Sequence, residues 1–288
     1  MLTLRLARWR LASRLLTLAP RCRPEAHAGG FASLGKPPVL AASCAHLPRL
    51  PSGARVEVAE LGGGFSLQQT GGVLWVGCAA ALCRWLLQLP PVGSSPPPPG
   101  EAGIVMASGE GSLPLAGASV LELGAGTGAV GIFAAALGAS RVLLTDGGSE
   151  ALLELAARNV TLNRGPLGVV PVAAEVRIDR LRWGAGLGGA ASIGTWDWIL
   201  ASDVITLRAE VSALCKTLAE LLCNSSAGSS RRRPRVILSH ERRSDYDEQL
   251  DYFEAEAAKR CLDVMVLSQE DVIDPCGRQR DISVLEVV

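Results

Sequence analysis

Three carboxylates and a cluster of glycines are the residues of this chain most able to do chemistry. The apolar run that opens at Ser119 ends in Glu122-Leu-Gly124-Ala125-Gly126-Thr-Gly128. A second apolar run, Arg141 to Thr145, ends at Asp146, and a third, Trp196 to Ala201, ends at Ser202-Asp203. Glycines at 124, 126 and 128 permit a sharp bend and let a ligand approach main-chain atoms that a Cβ would block. A helix that starts at such a bend aims unpaired N–H groups at the ligand. A carboxylate closing the next strand, here Asp146, is placed to accept hydrogen bonds from ribose hydroxyls, as in dinucleotide folds. The glycine spacing alone is weak, because Gly124, Gly126 and Ala129 also satisfy GxGxx[G/A].

Glu122 discriminates between ligands. A carboxylate two residues before the first glycine repels a pyrophosphate in a partly desolvated site. The same group suits a cation, such as the α-ammonium of S-adenosylmethionine (AdoMet). The turn therefore points to AdoMet ahead of a dinucleotide, with the dinucleotide as the competing expectation.

Alternating apolar runs and amphipathic stretches supply the positioning elements. The pattern predicts strands at 119–123, 141–145, 169–176, 196–200 and 235–239. Helices are expected at 77–89, 128–138, 149–163, 209–223 and 245–260. Two further strands, 262–267 and 282–287, have no helix between them and form an antiparallel hairpin around Asp274-Pro-Cys-Gly277. The βα alternation before them means a parallel sheet. Ligands of such sheets sit at the carboxyl ends of the strands, so Glu122, Asp146 and Asp203 are expected on one rim. Asn159 and Asn163 share a helix face and can tie that helix end to the next loop. Val56–Leu67 reads as a strand pair turning at Gly62-Gly-Gly64.

Composition sets the class. With 288 residues, 48% hydrophobic, the chain suits one α/β domain with extensions. A net charge of zero argues against bulk nucleic-acid binding, and Arg231-Arg-Arg233 reads as a solvated loop. The eight cysteines form no CxxC pair and have no zinc spacing. They fit a reducing, intracellular compartment, the cytoplasm first. The longest apolar stretch is too short to span a bilayer. Residues 1–24 carry six arginines and no acid, which keeps a mitochondrial or plastid presequence open. Residues 1–54 read as a disordered leader or targeting segment, 55–288 as the folded domain, and 94–117, with Ser94-Ser-Pro-Pro-Pro-Pro-Gly100, as an exposed insert.

Four blocks together resemble the seven-β-strand class I methyltransferases, and within them the METTL21-like lysine methyltransferases of family 16. These are Gly72-Val-Leu-Trp75, the Leu121–Gly128 turn with Asp146 and the Asn159/Asn163 pair, Leu181-Arg-Trp183-Gly184, and Trp196–Asp203. The resemblance implies a single Rossmann-like sheet of order 3-2-1-4-5-7-6 with an N-terminal extension. It implies AdoMet held by Trp75, Glu122, Gly124, Ala125, Gly126, Gly128, Asp146, Trp183 and Ser202. Asp203 is the expected catalytic residue, beside the transferring methyl. The implied reaction is methyl transfer to a protein side chain, lysine first. The partner is then a protein substrate, with no nucleic acid or membrane expected; the fold permits a monomer without demanding one. One position departs from the family's Asp-x-x-Tyr pattern: the chain reads Asp203-Val-Ile-Thr206. Threonine lacks the aromatic wall that flanks a lysine, which leaves a small-molecule acceptor or a non-catalytic AdoMet-binding protein as alternatives. His240-Glu241-Arg242-Arg243 is expected as a polar loop at the same rim, with His240 able to accept a proton near neutral pH.

Overall fold

The computed structural model describes residues 47–61, 71–93, 113–164, 168–189, 195–224, 233–243, 248–273 and 279–288. The leader to residue 46, the Gly62-Gly-Gly64 turn, most of the 94–117 insert, Arg231 and Arg232, and the Asp274–Gly277 turn lie outside them.

Seven strands form one sheet: β1 (Ser119–Leu123), β2 (Arg141–Asp146), β3 (Glu175–Arg180), β4 (Trp198–Ser202), β5 (Arg235–Arg242), β6 (Val264–Ile273) and β7 (Gln279–Val287). Their order is β3-β2-β1-β4-β5-β7-β6. The first five are parallel, while β7 runs antiparallel to both β5 and β6. This is the expected methyltransferase sheet. Helices α1 (Val76–Leu87), α2 (Ala129–Ala136), α3 (Glu150–Leu162), α4 (Arg208–Asn224) and α5 (Glu248–Ala258) cover it.

Strand alternation divides the core into two layers. Val120, Val142, Leu144, Leu200 and Ile237 pack with α1 and α2. Leu121, Leu123, Leu143, Ile199 and Leu238 pack with α4 and α5, around Phe253. Both faces of β1 are therefore covered, and all five of its residues are buried, as expected for a central parallel strand. Glu122 has the parity of Val120, which sends its side chain toward α2.

Several boundaries differ from the sequence pattern. The third strand lies at Glu175–Arg180, not 169–176. Pro171 has no N–H to give a ladder, and Val172 is 93% exposed. The edge position of β3 also explains why charged residues alternate along it. Strand β4 starts at Trp198 because Asp197 turns its carboxylate to the Ser119 amide (2.8 Å) and hydroxyl (2.7 Å). Strands β6 and β7 run well beyond 262–267 and 282–287, since polar residues are tolerated toward the sheet edge; a bulge falls between Val266 and Ser268. Leu47 and Leu50 are buried in the core, so packed structure extends N-terminal to residue 55.

The Asn159/Asn163 pair does more than hold a loop. Asn159 is fully buried. Its Oδ1 accepts from the Ala59 amide (2.8 Å), and its Nδ2 donates to the carbonyls of Ala59 (3.0 Å) and Thr127 (2.9 Å). Asn163 makes the matching pair with Glu57, at 2.9 and 2.7 Å. The segment before the fold is thus fixed by side-chain amides. Only isolated bridges, at Val58 and Leu61, form there among the described residues. Asn159→Leu is expected to destabilise the chain by roughly 2–4 kcal/mol, because it strands three buried backbone groups. Thr161→Val, at an exposed helix site, is expected to be near neutral. Urea unfolding of both variants checks the difference.

Candidate active site

The turn after β1 is built by crowding. Gly124, Gly126 and Gly128 all take positive φ, at 64°, 51° and 77°. A Cβ at Gly126 would lie 2.5 Å from the Gly71 carbonyl, and one at Gly124 would press on Val204 and the Trp183 ring. Only glycine lets these segments meet. Ala125 donates to the Thr145 carbonyl (2.8 Å), which locks the turn to β2.

Two adjoining cavities lie at the carboxyl ends of the strands. A chamber of about 50 Å³ is lined by Trp75, Glu122, the glycine turn and Ser202. A cleft of about 740 Å³ is bounded by Gly124, Asp146, Trp183, Ser202, Asp203 and Thr206. Together they touch nearly every residue expected to bind a cofactor; Gly128 shapes the turn as the residue before α2.

The three carboxylates share the rim but not an environment. Glu122 is 2% exposed and accepts the Gly131 amide at 2.8 Å. Burial pushes its carboxyl up to about 8, with Asp146 adding to the rise and the Gly131 N–H opposing it. Asp146 closes β2 and accepts two amides, Gly126 (2.9 Å) and Gly148 (2.7 Å), one on each oxygen. Each oxygen keeps a further lone pair for a ligand. Asp203 follows β4 in a left-handed conformation, φ 56°. Its Oδ2 accepts from Arg243 Nη2 at 2.6 Å and its Oδ1 from the Cys78 thiol at 3.5 Å.

The tryptophans approach from separate elements. Trp75 caps the start of α1 and is 43% exposed. Trp183 lies against Gly124, in a loop that Thr217 (2.9 Å) and Lys216 (2.9 Å) of α4 hold through Gly184. Ser202 accepts the Ser239 hydroxyl at 3.2 Å.

Two expectations need correction. His240 and Glu241 belong to β5, not to a loop. His240 is 2% exposed and neither ring nitrogen has a hydrogen-bond partner. Burial pulls its pKa down to about 4, so it is neutral at physiological pH and a poor proton acceptor. The sequence also gave no sign that Arg243 and Cys78 would meet at Asp203. Arg243 stood in a run of charged residues, and Cys78 stood among scattered thiols. No group of His, Cys, Asp and Glu among the described residues is arranged to hold a metal.

Comparison with known proteins agrees with this geometry. The family model described as lysine methyltransferase matches residues 57–257. The protein N-lysine methyltransferase METTL21A of Mus musculus is 42% identical over 40% of this chain and 50% of its own length. The protein of the same name from Danio rerio is 38% identical over 48% of this chain and 56% of its own. The chain spans about half the length of the curated relatives it matches. Among solved structures, the magnesium protoporphyrin IX methyltransferase of Synechocystis PCC 6803, with bound SAM, overlays with a TM-score of 0.41 at 16% identity, covering 78% of this chain and 86% of that one. The family match runs from the segment held by Asn159 and Asn163 into α5 and takes in the whole rim; the chain belongs to the lysine methyltransferase family.

Proposed function

We propose that this chain transfers a methyl group from AdoMet to a protein side chain, with lysine as the acceptor. The observation that carries the reading is Glu122. A buried carboxyl lining a small chamber beside a glycine turn fits an ammonium group, which favours its ionised form, and offers a pyrophosphate no counter-charge. Family membership supports it independently.

In this reading Glu122 binds the α-ammonium, Asp146 the ribose hydroxyls, and the turn at Gly124, Ala125, Gly126 and Gly128 the remaining backbone contacts. Trp75 and Trp183 wall the cofactor, and their ring faces tolerate nearby positive charge. Ser202 and Asp203 border the acceptor side. When bound, AdoMet supplies a methyl already activated by its sulfonium. The chain's task is then alignment. The acceptor lysine must be neutral, and a desolvated approach past Trp183 and Val204 favours release of its proton to solvent. Asp203 orients the amine by accepting a hydrogen bond from it.

The partner is a protein substrate, and a monomer suffices for all of these contacts. The five cysteines among the described residues are free thiols. No helix among the described residues is long and apolar enough to cross a membrane.

The decisive experiment is calorimetric titration of the full chain with S-adenosylhomocysteine and, separately, NADH. Saturable binding of the first alone is expected; binding of NADH instead would overturn the cofactor reading. Asp146→Ala is expected to weaken S-adenosylhomocysteine at least about tenfold, since it removes a charged acceptor. Proton linkage gives a second check. Glu122 is largely protonated at pH 7 in the free chain. A bound ammonium favours its ionised form, so binding should release a proton. Affinity then rises from pH 6 toward 8, and binding heats at pH 7 vary with the ionisation enthalpy of the buffer. Glu122→Gln should abolish both effects; a buffer-independent heat in the unmodified chain would contradict this role. The acceptor is identified by incubating the chain with methyl-labelled AdoMet and a cell extract, then hydrolysing the protein. Label in methyl-lysine is expected. Label confined to acid-soluble material would favour a small-molecule acceptor, the alternative that Thr206 keeps in play.

A further inference from the structure

We propose that Arg243 is a positioning residue that ties the wall of the cofactor chamber to the carboxylate on the acceptor side. The inference rests on the AdoMet reading above.

Arg243 directly follows β5. Its Nη2 donates to Asp203 at 2.6 Å and lies 3.4 Å from Glu241. Its guanidinium carbon stands 5.3 Å from the centre of the Trp75 ring. Each carboxylate has a further anchor. The Cys78 thiol of α1 reaches Asp203, and Arg280 of β7 donates to Glu241 at 2.7 Å. The Asp203 and Glu241 side chains are only 4% and 8% exposed. Two nearly sealed carboxylates at the ends of adjacent strands thus fix the guanidinium.

Trp75 is placed differently. It is 43% exposed and lines both the chamber and the cleft. Arg243 lines neither cavity. The arginine therefore acts on a ligand only through its neighbours, by holding the indole over the chamber while bonding Asp203. A planar guanidinium can stack on a ring and donate in its own plane at once. Cation–π attraction is strongest when partly desolvated, which is the case for a side chain 21% exposed. A wall fixed before the ligand arrives spares the ordering cost on binding. The same contact links the two substrates. An acceptor amine that donates to Asp203 competes with the guanidinium that steadies Trp75.

The test is a double-mutant cycle on the full chain, read as affinity for S-adenosylhomocysteine. Arg243→Gln is expected to weaken binding about five- to tenfold, the scale of one immobilised side chain. Trp75→Leu should weaken it as well, and adding Arg243→Gln to Trp75→Leu should cost nothing more. Arg243→Gln leaves Asp203 buried without its partner, so the cycle is repeated with Asp203→Asn, which removes that charge. The same loss and the same coupling are expected there. Unchanged binding in Arg243→Gln overturns the proposal. So does a full loss in the Trp75→Leu background, or a loss that vanishes with Asp203→Asn. No binding by the unmodified chain overturns the cofactor reading, and this inference with it.

Discussion

Asn159 has no exposed surface and bonds three backbone groups from two distant segments. One of them, the Thr127 carbonyl, belongs to the glycine turn; the other two belong to Ala59, before the fold. A single primary amide thereby fixes the turn relative to α3 and to the N-terminal segment. The geometry downstream depends on that fixing. Gly71 can crowd Gly126 only if the chain from Ala59 onward is held close, and Leu61 donates to the Gly72 carbonyl at 2.8 Å. Trp75 follows three residues later. A buried amide with unfilled partners is costly, whereas a filled one specifies a unique arrangement. The approach of the chain to Trp75 thus rests on hydrogen bonds from α3 to two neighbouring segments.

Parallel strands deliver three carboxylates to one rim, and local packing gives them different states. Glu122 points inward, toward α2, and burial keeps its proton on at neutral pH. Asp146 is the last residue of its strand and accepts two amides, one on each oxygen. Asp203 lies one residue beyond its strand, where a left-handed backbone turns it toward Arg243 and Cys78. The three carboxyls thus have three kinds of partner: the Gly131 amide beside α2, the amides of Gly126 and Gly148, and a guanidinium with a thiol.

The sheet was legible in the sequence because its central strands are apolar on both faces and its turn glycines have no substitute. β1 was read to the residue. β3 was misplaced because its own apolar content is low and a more apolar stretch lay just before it, at Val169–Val172. The hairpin β6–β7 was read short for the same reason: at an edge, hydrophobic pattern fades before pairing does. Side-chain tethers were harder to see. The face shared by Asn159 and Asn163 was evident at helical spacing, but their partners lie about a hundred residues away. Arg243 was invisible as a partner of Asp203 because nothing local joins positions 40 residues apart. Strand order alone brings β4 and β5 side by side and so makes them neighbours.

Thr206 takes on a different meaning beside this network. A tyrosine at that position would add an aromatic wall to the acceptor side. Here the aromatic surface at the cleft comes instead from Trp75 and Trp183, on opposite flanks of the glycine turn. Trp183 is set by α4 through Gly184, and Trp75 by β5 through Arg243. Trp75 is joined through Arg243 to Asp203, at the head of the segment that carries Thr206, whereas the loop of Trp183 is bonded to α4. A threonine at 206 therefore removes one aromatic from the cleft while both tryptophans remain. In the proposed reading the two sides of the site are coupled through the Arg243–Asp203 pair, so a change at Asp203 is felt at Trp75, while a change at Thr206 leaves that pair in place.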